Sequence, residues 1–210
     1  MQERASQTRR LILEAAAQTF ETHGYQGTRL QDVVAGRAVS KGALYFHFAS
    51  KEELAAAVIN EQHDLLAELA VMLRPRHSRT VPLLIEMSRR IGDLLRDDSM
   101  TRASTRLACE RDQIGPAAPV LFDAWIDTVE RLLEEAKAQG DVLPDADSRM
   151  VAELIIAALA GMQRRTRTGE TSLDLHTFVM GMWRMILPGL AVPERRAEIL
   201  DHLDAVDKVS

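Results

Sequence analysis

Apolar residues recur at three- and four-residue spacing along almost the whole chain, and no segment holds a sustained run of alternating β-branched residues. The pattern predicts an all-α fold. The first helix begins near Ser6 and carries Leu11, Ala15, Ala16, Thr19 and Phe20 on one side until Gly24 closes it. Thr28 is placed to cap a short second helix, with Leu30, Val33 and Val34 on its buried side, ending by Ala38. Ser40 caps a very short third helix through Phe46. Ser50 caps a fourth, with Glu52 and Glu53 where the helix dipole favours acids. Leu54, Val58, Leu65, Leu66 and Leu69 then predict one continuous helix to about Arg74, joining a head to a body. Beyond Pro75, helices are expected near 79–97, 100–112, 117–139, 146–168 and 173–190, and from Glu194 to Val206, with Gly140, Pro144, Gly169, Pro188 and Pro193 as punctuation. The expected organisation is a small head over 1–51 and a larger helical body over 52–210.

Charge changes the picture of what the head does. The net charge of −5 over 210 residues argues against a nucleic-acid partner if it is evenly spread. It is not: residues 1–51 hold seven Lys or Arg against four acids, and the remaining residues hold 19 against 27. A small basic head on an acidic body turns only the head toward phosphate. The longest strongly apolar stretch, Leu154 to Met162, is too short to span a bilayer, and no signal-peptide pattern opens the chain, so a cytoplasmic, membrane-free protein is expected. The single cysteine, Cys109, fits a reducing compartment and reads as a buried apolar residue. No cofactor or metal is expected, because the six histidines are scattered and no paired-thiol pattern exists. Neither a nucleophile elbow nor a glycine-rich phosphate loop is present, which argues against an enzyme.

Three short helices in the first 48 residues, with a tight turn between the second and third, form a helix-turn-helix candidate. A helix that lies in the major groove needs small and polar residues outward. Ser40, Lys41, Gly42 and Ala43 meet that need, while Leu44 and Phe48 serve as inward anchors and Phe46 joins the core cluster. Tyr45 and His47 stand at the helix end with groups able to hydrogen-bond phosphate. Gly42 in a helix interior costs roughly 1 kcal/mol against alanine, and close approach to DNA accounts for it.

The run Val39 to Phe48, followed by Ala49 to Leu54, with Gly24-Tyr25 and Thr28 upstream, resembles the signature of the TetR family of repressors. The resemblance implies a dimeric DNA-binding regulator of palindromic operators. It also implies that Thr28, Arg29 and Lys51 join Ser40, Lys41, Gly42, Ala43, Tyr45 and His47 at the DNA. One departure stands out, because the family has Ala-Gly-Val before the recognition helix and this chain reads Arg37-Ala38-Val39. Alanine carries a Cβ penalty if that turn is left-handed, and Arg37 is placed to offer a phosphate contact.

The body, with Gln62 and Phe122-Asp123-Ala124-Trp125, is similar to the γ-butyrolactone receptor branch of that family. The resemblance implies that Trp125 lines a pocket and that Gln62 hydrogen-bonds the ligand; Leu83, Met87 and Met162 are wall residues by helix position. Read alone, Trp125 fits an ordinary core aromatic better than a pocket wall. The implied partner is a small, mainly apolar signalling molecule of γ-butyrolactone, furan or butenolide type, or an antibiotic-like compound. Apolar residues cover more than one face of the helices near 146–168 and 173–190. Val151, Leu154, Ile155, Ala158, Phe178, Met182, Trp183 and Ile186 are therefore expected at a homodimer face. Arg164, Arg165 and Arg167 read as a solvated helix end or a dimer rim. A helical protein-interaction module is a third class, but it leaves Lys41, Gly42, Tyr45 and His47 without a role.

Overall fold

The computed structural model describes residues 2–35 and 39–208. The sequence expectations for Arg37 and Ala38 lie outside the described residues. In chain order the helices are α1 (Gln2–Gly27), α2 (Leu30–Val34), α3 (Lys41–His47), α4 (Lys51–Asn60), α5 (Leu65–Leu73), α6 (Thr80–Asp97), α7 (Ser99–Cys109), α8 (Arg111–Ile114), α9 (Leu121–Ala138), α10 (Ser148–Arg167), α11 (Leu175–Leu190) and α12 (Pro193–Asp207). A 3-10 turn spans Arg74–Arg76, and the described residues contain one isolated bridge, Val142 to Ala191, and no strand. The all-α expectation holds. No helix among the described residues is long and apolar enough to cross a membrane.

The chain packs as two units, residues 1–63 with 97–121, and 64–96 with 122–210. This differs from a boundary at 51. The reason is α7, whose buried Ala103, Ser104 and Leu107 face α1 and α4, and whose Ser104 hydroxyl donates to the Val58 carbonyl at 2.7 Å. In the same unit Leu54, Ala55, Val58 and Ile59 bury one side of α4, and Ile12, Ala16 and Phe20 bury one side of α1. The unit carries ten Lys or Arg and eleven acids, so the positive charge belongs to its N-terminal segment and not to the unit as a whole.

The expected continuous fourth helix is broken. Gln62 N–H bonds to Ile59 O and His63 N–H to Asn60 O, three residues back instead of four, and these tighter turns end α4 before α5 begins. Gly24 is the other departure, since α1 bends there at φ +70°, a region that suits glycine. A Cβ at Gly24 would stand 2.4 Å from the Arg106 guanidinium.

In the second unit α6, α9, α10 and α11 bury Leu84, Ile91, Leu132, Leu133, Ile156, Val179 and Trp183 against one another. Polar ties close its end. Arg74 grips Glu135 through two bonds of 2.8 and 2.7 Å, and the fully buried Asp141 carboxylate receives Arg79 and Arg195. Cys109 is exposed, against the expectation of burial: it follows the buried Thr105 by one turn but is the last residue of α7.

Candidate nucleic-acid interface and ligand cavity

The short helix α3 is positioned by both ends. Ser40 Oγ accepts from the Ala43 N–H at 3.1 Å, and Phe48 N–H returns to Leu44 O at 2.9 Å. Leu44 and Phe48 are buried at 0 and 2 % exposure and anchor the inner side, as their pattern predicts. Lys41, Gly42 and Tyr45 are exposed, with Ala43 and His47 half-buried. Lys41 Nζ lies 6.0 Å from the Tyr45 ring centroid, so cation and phenol share one side of the helix. Arg29 is exposed at the start of α2, where its backbone N–H donates to Asp32 at 3.2 Å.

Three expected roles change. Thr28 is 1 % exposed and its hydroxyl donates to Gly24 O at 2.8 Å, so the bend at Gly24 turns the side chain inward and Arg29 takes the cap position of α2. Lys51 Nζ donates to Tyr25 O at 3.0 Å and Thr28 O at 3.1 Å and sits 4.3 Å from the Tyr25 ring, which makes the ammonium a strap over the α1–α2 corner. Phe46, expected in the core, is 79 % exposed. It lies two residues from Leu44, about 200° around the helix, and therefore on the outer side.

Tyr25 organises the unit beneath α3. Its N–H donates to Glu110 Oε2 at 2.7 Å and its hydroxyl to Glu52 Oε1 at 2.7 Å. Burial, and then the bond to Glu52, push the Tyr25 hydroxyl up to about 12. The same bond is the main cause of a lowered Glu52 pKa. Arg106 donates to Glu21 O at 2.6 Å and to Glu110 at 2.9 Å, so α7 is bolted to the end of α1.

The second unit holds two apolar features of opposite kind. A nearly closed cavity of about 20 Å³ lies among Leu66, Leu84, Met87, Ser88, Ile91, Trp125, Val129, Ile155, Ile156 and Leu159. Met87 and Trp125 are among its lining residues. Leu83 and Met162 are buried in the same unit but are not among its lining residues. Gln62 belongs to the other unit, where the Thr101 hydroxyl donates to its Oε1 at 3.2 Å. Ser88 is the cavity's hydroxyl, bonded to Leu84 O at 2.8 Å; it was not singled out from the sequence, where it reads as a neutral helix residue.

The other feature is an open groove of about 900 Å³ along α10 and α11. Val151, Leu154, Ala158, Phe178, Met182 and Ile186 line it. Ile155 and Trp183 do not, being 2 and 0 % exposed and directed into the unit. Their places on the surface are taken by Met150 and Met185, at 64 and 84 % exposure, which a second apolar stripe at i, i+4 spacing could have revealed. Arg164, Arg165 and Arg167 are exposed at the end of α10. Among the described residues no cluster of three His, Cys, Asp or Glu is disposed to hold a metal.

The chain is similar to known proteins along most of its length. Residues 12–58 match the model of bacterial regulatory proteins of the tetR family, and residues 80–193 match the tetracyclin repressor-like C-terminal domain. The A-factor receptor protein of Streptomyces griseus is 38 % identical over 192 residues, spanning 91 % of this chain and 67 % of that protein. A solved structure of the TetR family protein CprB from S. coelicolor A3(2) is 32 % identical with a TM-score of 0.83, covering 99 % of this chain and 100 % of that one. A second structure of CprB, in complex with its biological operator sequence, is 33 % identical with a TM-score of 0.82, covering 97 and 98 %.

Proposed function

Because this chain belongs to the tetR family of bacterial regulatory proteins, we propose that it is a homodimeric repressor that grips a palindromic operator with α3 and releases it when a small apolar molecule of the γ-butyrolactone, furan or butenolide class enters the cavity beside Trp125. The observation that carries this reading is α3 itself, a capped helix with Leu44 and Phe48 buried and Lys41, Gly42 and Tyr45 facing out. Lys41 and Tyr45 supply phosphate contacts that fix register, and Gly42 lets the helix approach closely. A second copy covers the groove on α10 and α11, whose exposed Met150, Leu154 and Met185 form an apolar face too continuous for a lone chain. The resulting two-fold axis requires an operator with matching half-sites.

Release follows from the size of the Trp125 cavity. About 20 Å³ is near the room of one water, whereas cavities that enclose drug-sized ligands run to hundreds of Å³. A ligand therefore binds a form in which α6, α9 and α10 have moved apart, and the adaptable Met87 eases that opening. Swinging the population from 1:99 to 99:1 takes about 10⁴-fold preference for the opened form.

The test is a gel shift on the DNA upstream of the protein's own gene. Wild type forms a specific complex that γ-butyrolactones disperse. Lys41→Ala with Tyr45→Ala abolishes the complex while the dimer persists in analytical ultracentrifugation. A wild-type protein without a specific complex at any salt concentration sinks the proposal.

A further inference from the structure

Phe46 is the most exposed large side chain of low polarity on α3, at 79 % against 49 % for Tyr45. Packing among the described residues does not bury it. Its ring makes an edge contact with the His47 ring at 5.1 Å between centroids, which limits its orientation without burying it. Gly42 precedes it by one helical turn on the same outer side. A Cβ built at Gly42 would meet only Ser40 Oγ, at 3.9 Å, so packing within the protein does not ask for glycine there. The outer face of α3 is thus a notch at Gly42 beside a projecting aromatic, with Lys41 and Tyr45 alongside. Lys41 and Tyr45 carry groups for phosphate, whereas a phenyl ring has none. Its complement in a major groove is the C5-methyl of thymine, the one apolar group that base edges display there.

We infer that Phe46 is a specificity-determining residue that reads a thymine methyl in each operator half-site, with Gly42 admitting the base edge to the ring. The assignment rests on operator binding by α3 and adds to it the residue that selects sequence. Phosphate contacts from Lys41 and Tyr45 hold the helix on any duplex, and Phe46 discriminates between them. Because the dimer is symmetric, the thymine recurs at equivalent positions in the two half-sites.

The experiment uses the full-length protein and the operator mapped by footprinting upstream of its own gene. Each thymine of the footprint is replaced in turn by deoxyuridine, which keeps the base pair and removes only the methyl. Wild type loses about four-fold in affinity at one thymine per half-site, the worth of one buried methyl-sized group. Phe46→Ala binds the unmodified operator about ten-fold more weakly and is indifferent to deoxyuridine at that thymine. Phe46→Leu, which keeps an apolar tip, retains part of the methyl preference. Melting temperatures of both variants equal that of wild type, because the side chain is outside the core. The inference is overturned if Phe46→Ala keeps the same methyl sensitivity, if it binds the operator as tightly as wild type, or if no deoxyuridine weakens wild type. A wild type that gives no footprint overturns operator binding itself, and that outcome is distinct because it precedes any substitution.

Discussion

The elements beneath α3 and those around Trp125 are held together by different means. Beneath α3, the elements are tied by directed polar bonds: Tyr25 to Glu52 and Glu110, Lys51 to two carbonyls, Arg106 to Glu21 and Glu110. Around Trp125, α6, α9 and α10 meet through Leu, Ile, Val and Met side chains, with the Ser88 hydroxyl turned back on its own helix. Directed bonds fix one arrangement, because a partner moved by an ångström leaves a polar group unpaired. Apolar contacts are less selective, and a methionine-bearing wall can repack at small cost. On the proposed reading, the head presents a surface of fixed shape and the body changes the size of a cavity. A ligand-released repressor needs both.

The largest expected effect tests the body. Trp125 is 3 % exposed, and Trp125→Ala removes an indole from a site that already borders a void. If the surrounding helices stay in place, the loss is about 3–5 kcal/mol, read by denaturant melting. A loss under about 1 kcal/mol would mean that the unit collapses freely around the gap, which is softer than the comparison assumes. In the same variant, operator release no longer responds to ligand.

How far each unit was legible in the sequence follows from the same contrast. The α3 anchors were readable because a run of small and polar residues flanked by Leu44 and Phe48 has one sensible orientation. Phe46 was misread because an aromatic between two other rings looks like core until the 200° turn from Leu44 is placed in space. Thr28 is a good cap by residue type, but the bend at Gly24 offers its hydroxyl a carbonyl four residues back. The break between α4 and α5 left no mark, since Val58 and Leu65 are seven residues apart and no Gly or Pro stands between them. On α10 and α11 both sides are apolar, so composition could not decide whether Ile155 or Met150 faced inward.

A smaller effect separates the outer surface of the head from its frame. Gly42→Ala adds a Cβ whose nearest neighbour is Ser40 Oγ at 3.9 Å, so the helix accepts it. Replacing a glycine within a helix by alanine gains about 1 kcal/mol, which raises the melting temperature by about 2–4 °C in a protein of this size. Operator affinity falls by at least ten-fold, because the notch is filled. Stability and binding moving in opposite directions is the expected signature of a residue kept for an external surface. Unchanged affinity would show that the helix does not approach DNA at Gly42.

The smallest effect concerns the frame itself. Tyr25→Phe keeps the stacking on Phe20 at 6.4 Å and the contact under Lys51, and deletes only the hydroxyl bonded to Glu52. A single hydrogen bond contributes about 1 kcal/mol, so the melting temperature drops by about 2–4 °C at neutral pH. The pH profile is the sharper readout. Tyr25 titrates near 12 in the folded protein and near 10 in an unfolded chain, so its raised value stabilises fully below pH 10 and that stabilisation is lost as pH climbs toward 12. Wild type therefore loses stability steeply between pH 10 and 12, and Tyr25→Phe flattens that part of the curve. On the acid side the sign reverses, because Glu52 is held below its ordinary value chiefly by the Tyr25 hydroxyl. Its contribution is present above the ordinary carboxylate value and lost as pH falls, and in Tyr25→Phe the Glu52 carboxyl, followed by NMR, moves back up. An alkaline limb equally steep in both proteins would show that Tyr25 ionises in the folded protein as freely as in an unfolded chain, and the contrast between polar ties beneath α3 and apolar packing around Trp125 would lose its central residue.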